Sequence, residues 1–244
     1  MYFAKARMPI AAQAMGSMSV YMSYGLRTIA LIVSLLASVA HGQLFSENSD
    51  LKNRVAQTYG EQAVHRLLAL DDLIRNYQSK PVMLQLQAVN QFFNQLQFLS
   101  DSHHWSREDY WATPVELLGS NGGDCEDFAI AKYLTLRQLG IPDHQLRLSY
   151  VNALTINQAH MVLAYLPGPG EDPLVLDNLI DEIKAASQRR DLKPVYSFND
   201  QGLWLAAPDA HLVSVEEEIP YGTGDDILMW KEFRERLALQ QIRL

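Results

Sequence analysis

The chain has 244 residues, 48% of them hydrophobic and 20% charged, which excludes a disordered or fibrous protein and gives room for one substantial core. Its net charge is −8; residues 1–42 carry Lys5, Arg7 and Arg27 and no acid, so the remainder carries −11 (−8 less +3) and offers nucleic acid no basic footprint. The one cysteine, Cys125, cannot pair within its chain, so it is either a small inert side chain or is there for its chemistry.

At the N-terminus, Arg27 precedes the apolar run "TIALIVSLLASVA" (28–40), which has the length of a signal-peptide core, and Ser38 and Ala40 supply small residues for a cleavage site. The run is short for a membrane span. Residues 1–42 therefore read as an export signal, with a membrane anchor as the alternative. The long stretch before the run points to a start at Met18 or Met22. The mature domain is then 43–244. A lead-in helix is expected within 43–60 and a second over 61–78, where Val64, Leu67, Leu68, Leu70, Leu73 and Ile74 keep helical spacing. Pro81 opens a third, with a core-facing stripe of Val82, Leu86, Val89, Phe93 and Leu96. Residues 101–123 read as loop. Gly122 and Gly123 then break the chain before Asp124, an N-cap for the helix "CEDFAIAKYLTLRQL", which stops at Gly140 with Pro142 beyond. From 146 the period changes to two. Strands are expected at 146–151, 160–166, 174–179, 194–198, 202–206 and 212–218. A last helix carries Ile227, Trp230, Phe233 and Leu237 on one face. Helices first and strands second describe an α+β domain, N-terminal helices packed on an antiparallel sheet.

Cys125 falls in the first turn of its helix, where free N–H groups and the dipole favour a thiolate and can also hold an oxyanion. Of the seven histidines, His160 is the best base, because it opens a buried strand whose hairpin partner carries Asp177. If "PGPG" (167–170) is a four-residue loop, His160 and Asp177 are directly opposed and share a face. A slip of one residue would bring Leu176 or Asn178 there instead. A histidine on an apolar strand is commonly a core residue and an aspartate at a strand end commonly a cap. Cysteine, histidine and aspartate together form the constellation of acyl transfer. Asp124, Glu126 and Asp127 crowd the sulfur and oppose its ionisation. A bound cation would reverse that effect, and clustered hard oxygens beside a Gly-Gly pair suit Ca²⁺; plain solvated capping acids are the alternative.

The blocks "DYWATPVELLGSNGGDCEDFAIAKYLTLRQLGIP", "HMVLAYL" and "VLDNL" resemble the bacterial transglutaminase-like cysteine proteases, in particular the LapG-type periplasmic adhesin proteases. The resemblance runs from about the second helix to the strands near 206. It implies a papain-like, transglutaminase-like cysteine protease fold with Cys125 as nucleophile, His160 as base and Asp177 as its orienting partner. It also implies a calcium site at Asp124 and Glu126, extending to Asp127. Its implied substrate is the N-terminal region of a giant surface adhesin, cut at an Ala-Ala pair so that cells leave a biofilm. Its implied inhibitory partner is an inner-membrane receptor for cyclic di-GMP. Two other readings stay open: a transglutaminase-like amidase or acyltransferase acting on cell wall, and a non-catalytic binding module of the same fold.

Overall fold

In the computed structural model, which describes residues 45–207 and 218–240, the chain turns from helix to strand where its apolar period changes. The export signal expected at 1–42 lies outside those residues. Helix α1 (Ser49–Tyr59), for which the sequence predicts no stripe, buries Leu51 and Val55, while α2 (Glu61–Tyr77) and α3 (Val82–Asn94) bury members of the stripes the spacing predicts: Leu67, Leu70 and Ile74, then Leu86, Val89 and Phe93. Val82, at the first position of α3, is exposed.

The stretch 101–123 is not simple loop. It contains α4 (Asp101–His104) and α5 (Pro114–Ser120). Thr113 caps α5: its hydroxyl accepts the Glu116 N–H at 3.3 Å, while the Glu116 carboxylate accepts the Thr113 N–H at 2.8 Å, and proline occupies the first helical position. "TPVE" spells that capping box in sequence. Strand β1 (Gln97–Phe98) pairs in parallel with β2 (Gly122–Gly123), so the two glycines are pinned and buried, not a free hinge. Helix α6 (Cys125–Gln138) follows. Every residue from Asp127 to Leu136 is buried, more than a single stripe requires, because α6 packs against α3 on one side and the sheet on the other. Its end uses Gly140 at φ +95°, a left-handed conformation natural to glycine.

The remaining strands are β3 (Leu146–Ala153), β4 (Gln158–Tyr165), β5 (Leu174–Leu176), β6 (Lys184–Ala185), β7 (Leu192–Phe198), β8 (Leu203–Ala206) and β9 (Glu218–Gly222). Among the described residues they form one antiparallel sheet in the order β6-β5-β4-β3-β7-β8-β9. Residues 208–217, part of the last expected strand, lie outside the described residues. Strand β4 is buried on both faces, which explains its unbroken apolar run. Met161, Leu163 and Tyr165 join the helical core, while Val162 and Ala164 join a smaller cluster with Val151, Val175, Ala186 and Leu192. Helix α7 (Leu228–Leu239) inserts Trp230, Phe233 and Leu237. The architecture is α+β, as the order of periods predicts.

Phe198 on β7 connects the middle of the chain to its end: its ring stacks on Trp111 at 5.8 Å and meets Trp230 edge-on at 5.5 Å. Phe198→Ala leaves both indoles without that ring and is expected to lower unfolding stability by about 3–5 kcal/mol, measured by urea denaturation.

Candidate active site and acid cluster

The start of α6 is fixed by the residue that follows the sulfur by two positions. Asp127 folds back so that its Oδ2 accepts the Asp124 N–H at 3.2 Å and its Oδ1 accepts the Ala112 N–H at 2.6 Å. A Cβ on residue 123 would collide with that carboxylate, so Gly123 is needed for the close approach. Cys125 is thereby held at the first helical position, partly buried. Its Sγ–H donates to Glu126 Oε2 at 2.7 Å. Burial pushes the thiol pKa far up, Glu126 and Asp124 add to the effect, and the Met161 N–H aimed at the sulfur opposes it. The helix start alone was expected to lower this pKa. In the absence of a cation, burial and the adjacent carboxylates win.

The Met161 contact also places Cys125 beside β4, one residue from His160. His160 Nε2 lies 2.8 Å from Asp177 Oδ1, and both side chains are buried. They do not meet as directly opposed residues. Leu163 pairs with Leu176, and Tyr165 with Leu174, two positions away from the register of a four-residue loop. The connection spans 166–173, because Pro173 stands before β5 and not within it. A shift of two keeps the same face, so His160 and Asp177 still converge, now diagonally, with Asp177 just past the end of β5. Helix α3 holds that loop: Asn94 Nδ2 donates to the Asp177 carbonyl at 2.9 Å and Asn90 Nδ2 to the Asp181 carbonyl at 2.9 Å.

Asp177 is further braced by Arg189, whose Nη2 donates to Oδ2 at 2.7 Å. Burial works to raise the Asp177 pKa, but His160, the Leu179 N–H and Arg189 outweigh it and hold the carboxyl at about 2. An ionised Asp177 accepts the proton of Nε2, which leaves Nδ1 as the basic nitrogen of a neutral ring.

The acids form two overlapping groups, Asp124–Cys125–Glu126 and Asp101–Asp124–Asp127, within each of which the ligand atoms lie inside 4.8 Å of one another. Asp101, at the start of α4, was not singled out in the sequence. Its Oδ2 accepts the Tyr110 N–H at 2.5 Å, but among the described residues neither its Oδ1 nor Asp124 Oδ1, both buried, has a hydrogen-bond donor. Two facing carboxyl oxygens need a shared proton, a donating water or a cation between them. Without the cation, Asp124 is pushed up to about 10 by burial and by Glu126, Asp127 and Asp101, and Asp101 to about 6 by burial, Glu126 and Asp109. The donors are hard oxygens in a flexible set, as calcium prefers, and no histidine joins them. Asp127 belongs to the cluster but already spends both oxygens on backbone N–H groups.

A thiol at a helix start, against a strand that carries a buried imidazole–carboxylate pair, is the arrangement on which acyl transfer through sulfur is built. The chain belongs to the bacterial transglutaminase-like cysteine proteinases: residues 71–209 match that family. Three solved structures of Legionella pneumophila LapG share the fold. The EGTA-treated form is 41% identical, covering 81% of this chain and 100% of that one at a TM-score of 0.67. A second LapG structure is 41% identical over 81% and 99% at 0.66, and the calcium-bound form is 42% identical over 77% and 98% at 0.63. A search of the curated proteins found no match. The chain is a cysteine endopeptidase with a transglutaminase-like fold.

Replacing the carboxylate that holds the thiol proton should free the sulfur. In calcium-free buffer at pH 8, Glu126→Gln is expected to raise the rate of Cys125 alkylation by iodoacetamide severalfold, followed by mass spectrometry. At acid pH the sign for Asp177 is the usual one for a depressed carboxyl. Its contribution is complete above about pH 4 and lost as pH falls towards about 2, so Asp177→Asn should flatten the stability profile in that window.

Proposed function

We propose that this proteinase is an exported, calcium-dependent endopeptidase in which Cys125 is the nucleophile, His160 the acid–base and Asp177 its orienting partner. The observation that carries the reading is the 2.8 Å His160–Asp177 pair beside the strand residue, Met161, whose N–H meets the chain's one cysteine, in a chain 41% identical to LapG. His160 Nδ1 takes the thiol proton and the thiolate attacks a backbone carbonyl. The N–H groups at the start of α6 face the developing oxyanion. The imidazolium then protonates the leaving amine, and water, activated by the same ring, hydrolyses the acyl-enzyme.

The residues that would hold calcium are Asp124, Glu126 and Asp101, with Asp127 behind them. The ion would supply the positive charge that lets the thiolate form beside two carboxylates. The calcium-bound and EGTA-treated forms of LapG support this assignment. The substrate we propose is the N-terminal region of a large surface adhesin, cut at an Ala-Ala pair in the periplasm so that cells are released from a biofilm. An inner-membrane receptor for cyclic di-GMP is the proposed inhibitory partner. The support for substrate and receptor is the likeness to LapG-type proteases. Among the described residues no helix is long and apolar enough to cross a membrane.

Incubated with the adhesin's N-terminal fragment and with purified cell wall, the protein should cleave only the fragment, and Cys125→Ala should abolish cleavage. Cell-wall products alone would favour the amidase reading, and full activity of Cys125→Ala would sink the thiol mechanism. EGTA should abolish cleavage and lower the melting temperature. With Asp124 raised to about 10 and Asp101 to about 6, binding must expel protons. Calcium affinity is therefore expected to rise with pH between about 6 and 8, with proton release seen by calorimetry in buffers of different ionisation enthalpy.

A further inference from the structure

Arg189 lies outside every motif that carries the resemblance, in the run "SQRRDL" between β6 and β7. Its side chain is 2% exposed, the Asp177 side chain it contacts is fully buried, and Nη2 reaches Asp177 Oδ2 at 2.7 Å. The same guanidinium is clamped from its other side: Nη2 donates to Asp191 Oδ2 at 2.9 Å and Nε to Asp191 Oδ1 at 3.0 Å. Asp191 is itself tied into the sheet, its carbonyl accepting the Leu154 N–H at 2.8 Å at the end of β3. A rigid path thus runs from the sheet through Asp191 and Arg189 to one oxygen of Asp177, while the other oxygen meets His160.

We propose that Arg189 is a positioning residue for the reaction, which holds the Asp177 carboxylate in the rotamer that presents Oδ1 to His160 Nε2. This rests on the assignment of Cys125, His160 and Asp177 made above. An aspartate carboxylate turns about χ2 with little resistance, and Asp177, past the end of β5, has no strand pairing to fix it. The Leu179 N–H donates to Oδ1 at 3.0 Å, the oxygen His160 also uses, so Arg189 supplies the contact that fixes Oδ2. Without Arg189, two carboxylates that shared one cation would face each other, and Asp177 would be driven away from Asp191 or towards protonation. Either outcome loosens the imidazole and weakens the thiolate it supports. A lysine can cancel the charge, but it lacks the planar fork whose Nε and Nη2 grip Asp191 together while Nη2 reaches Asp177.

The test needs no substrate. The second-order rate of Cys125 alkylation by iodoacetamide is measured at pH 7 in excess calcium for the full chain, Arg189→Ala, Arg189→Lys and Asp191→Asn, with melting temperatures alongside. Arg189→Ala is expected to react about tenfold more slowly or worse, Arg189→Lys to fall between it and the unsubstituted chain, and guanidinium added at millimolar concentration to restore the Ala variant. Asp191→Asn, which leaves the Asp177 contact in place but frees the clamp, should lose severalfold and carries the test if the Ala variant does not fold. A lower melting temperature with an unchanged rate in Arg189→Ala, or in Asp191→Asn should the former not fold, would show a merely structural arginine and overturn the proposal. His160→Ala separates the two levels: if it alkylates at the full rate the assignment of the base is wrong, whereas a slow His160→Ala with a fast Arg189→Ala overturns the role of Arg189 alone.

Discussion

The site depends on an electrostatic conflict at one helix start. Backbone N–H groups at the beginning of α6 need acceptors, and carboxylates meet that need. Asp127 does so by folding back to the Asp124 N–H, and this fixes where Cys125 sits. The same solution fills the surroundings of the sulfur with negative charge in a partly dry setting, and the thiol keeps its proton, donating it in a hydrogen bond to Glu126 Oε2. The helix therefore positions the thiol and, unaided, keeps it protonated. A protein that keeps such an arrangement needs positive charge from elsewhere.

The His160–Asp177 side meets the opposite condition. Asp177 is almost fully buried, yet its pKa lies at about 2, because His160, a backbone N–H and Arg189 all face it. A further basic side chain, Lys132, lies in the core two helical turns from Cys125 along α6. Burial lowers its pKa to about 7, against the pull of Asp177 and Asp181. The groups that act on Asp177 come from three places far apart in the chain: Asn94 of α3 holds its carbonyl, Arg189 of the 186–191 turn holds its carboxylate, and Lys132 of α6 acts on it by charge. Deleting any one cationic partner of a buried carboxylate leaves charge uncompensated, which is why such networks hold a geometry more firmly than their net contribution to stability suggests.

What could be read from the sequence followed from local periodicity. The stripes of α2 and α3, the switch to period two at 146 and the cap-and-stop signals of α6 each involve residues within a few positions of one another, and each of these elements lies where expected. His160 and Asp177 were also legible as a pair, although the reasoning that joined them was off by two residues. The register error was harmless because strands alternate with period two; an error of one would have separated the pair. The misreading of 101–123 as loop had a local remedy, since Thr113-Pro114-Val115-Glu116 is a capping box with proline at the first position. Asp101 and Arg189 had none. Asp101 joins Asp124 across 23 positions and Arg189 joins Asp177 across 12 with an intervening strand, and nothing periodic announces either contact.

The two halves of the site thus differ in a way that bears on control. The carboxylate behind the imidazole has its cations built into the chain, while the carboxylates beside the thiol leave two buried oxygens, on Asp101 and Asp124, without a donor. Orientation of the imidazole therefore rests on groups of the chain itself, whereas ionisation of the thiol needs a charge from outside it. Under the calcium assignment, loss of the ion would leave the imidazole–carboxylate pair assembled and return the sulfur to its protonated state. Activity would then respond to calcium without a rearrangement of the fold.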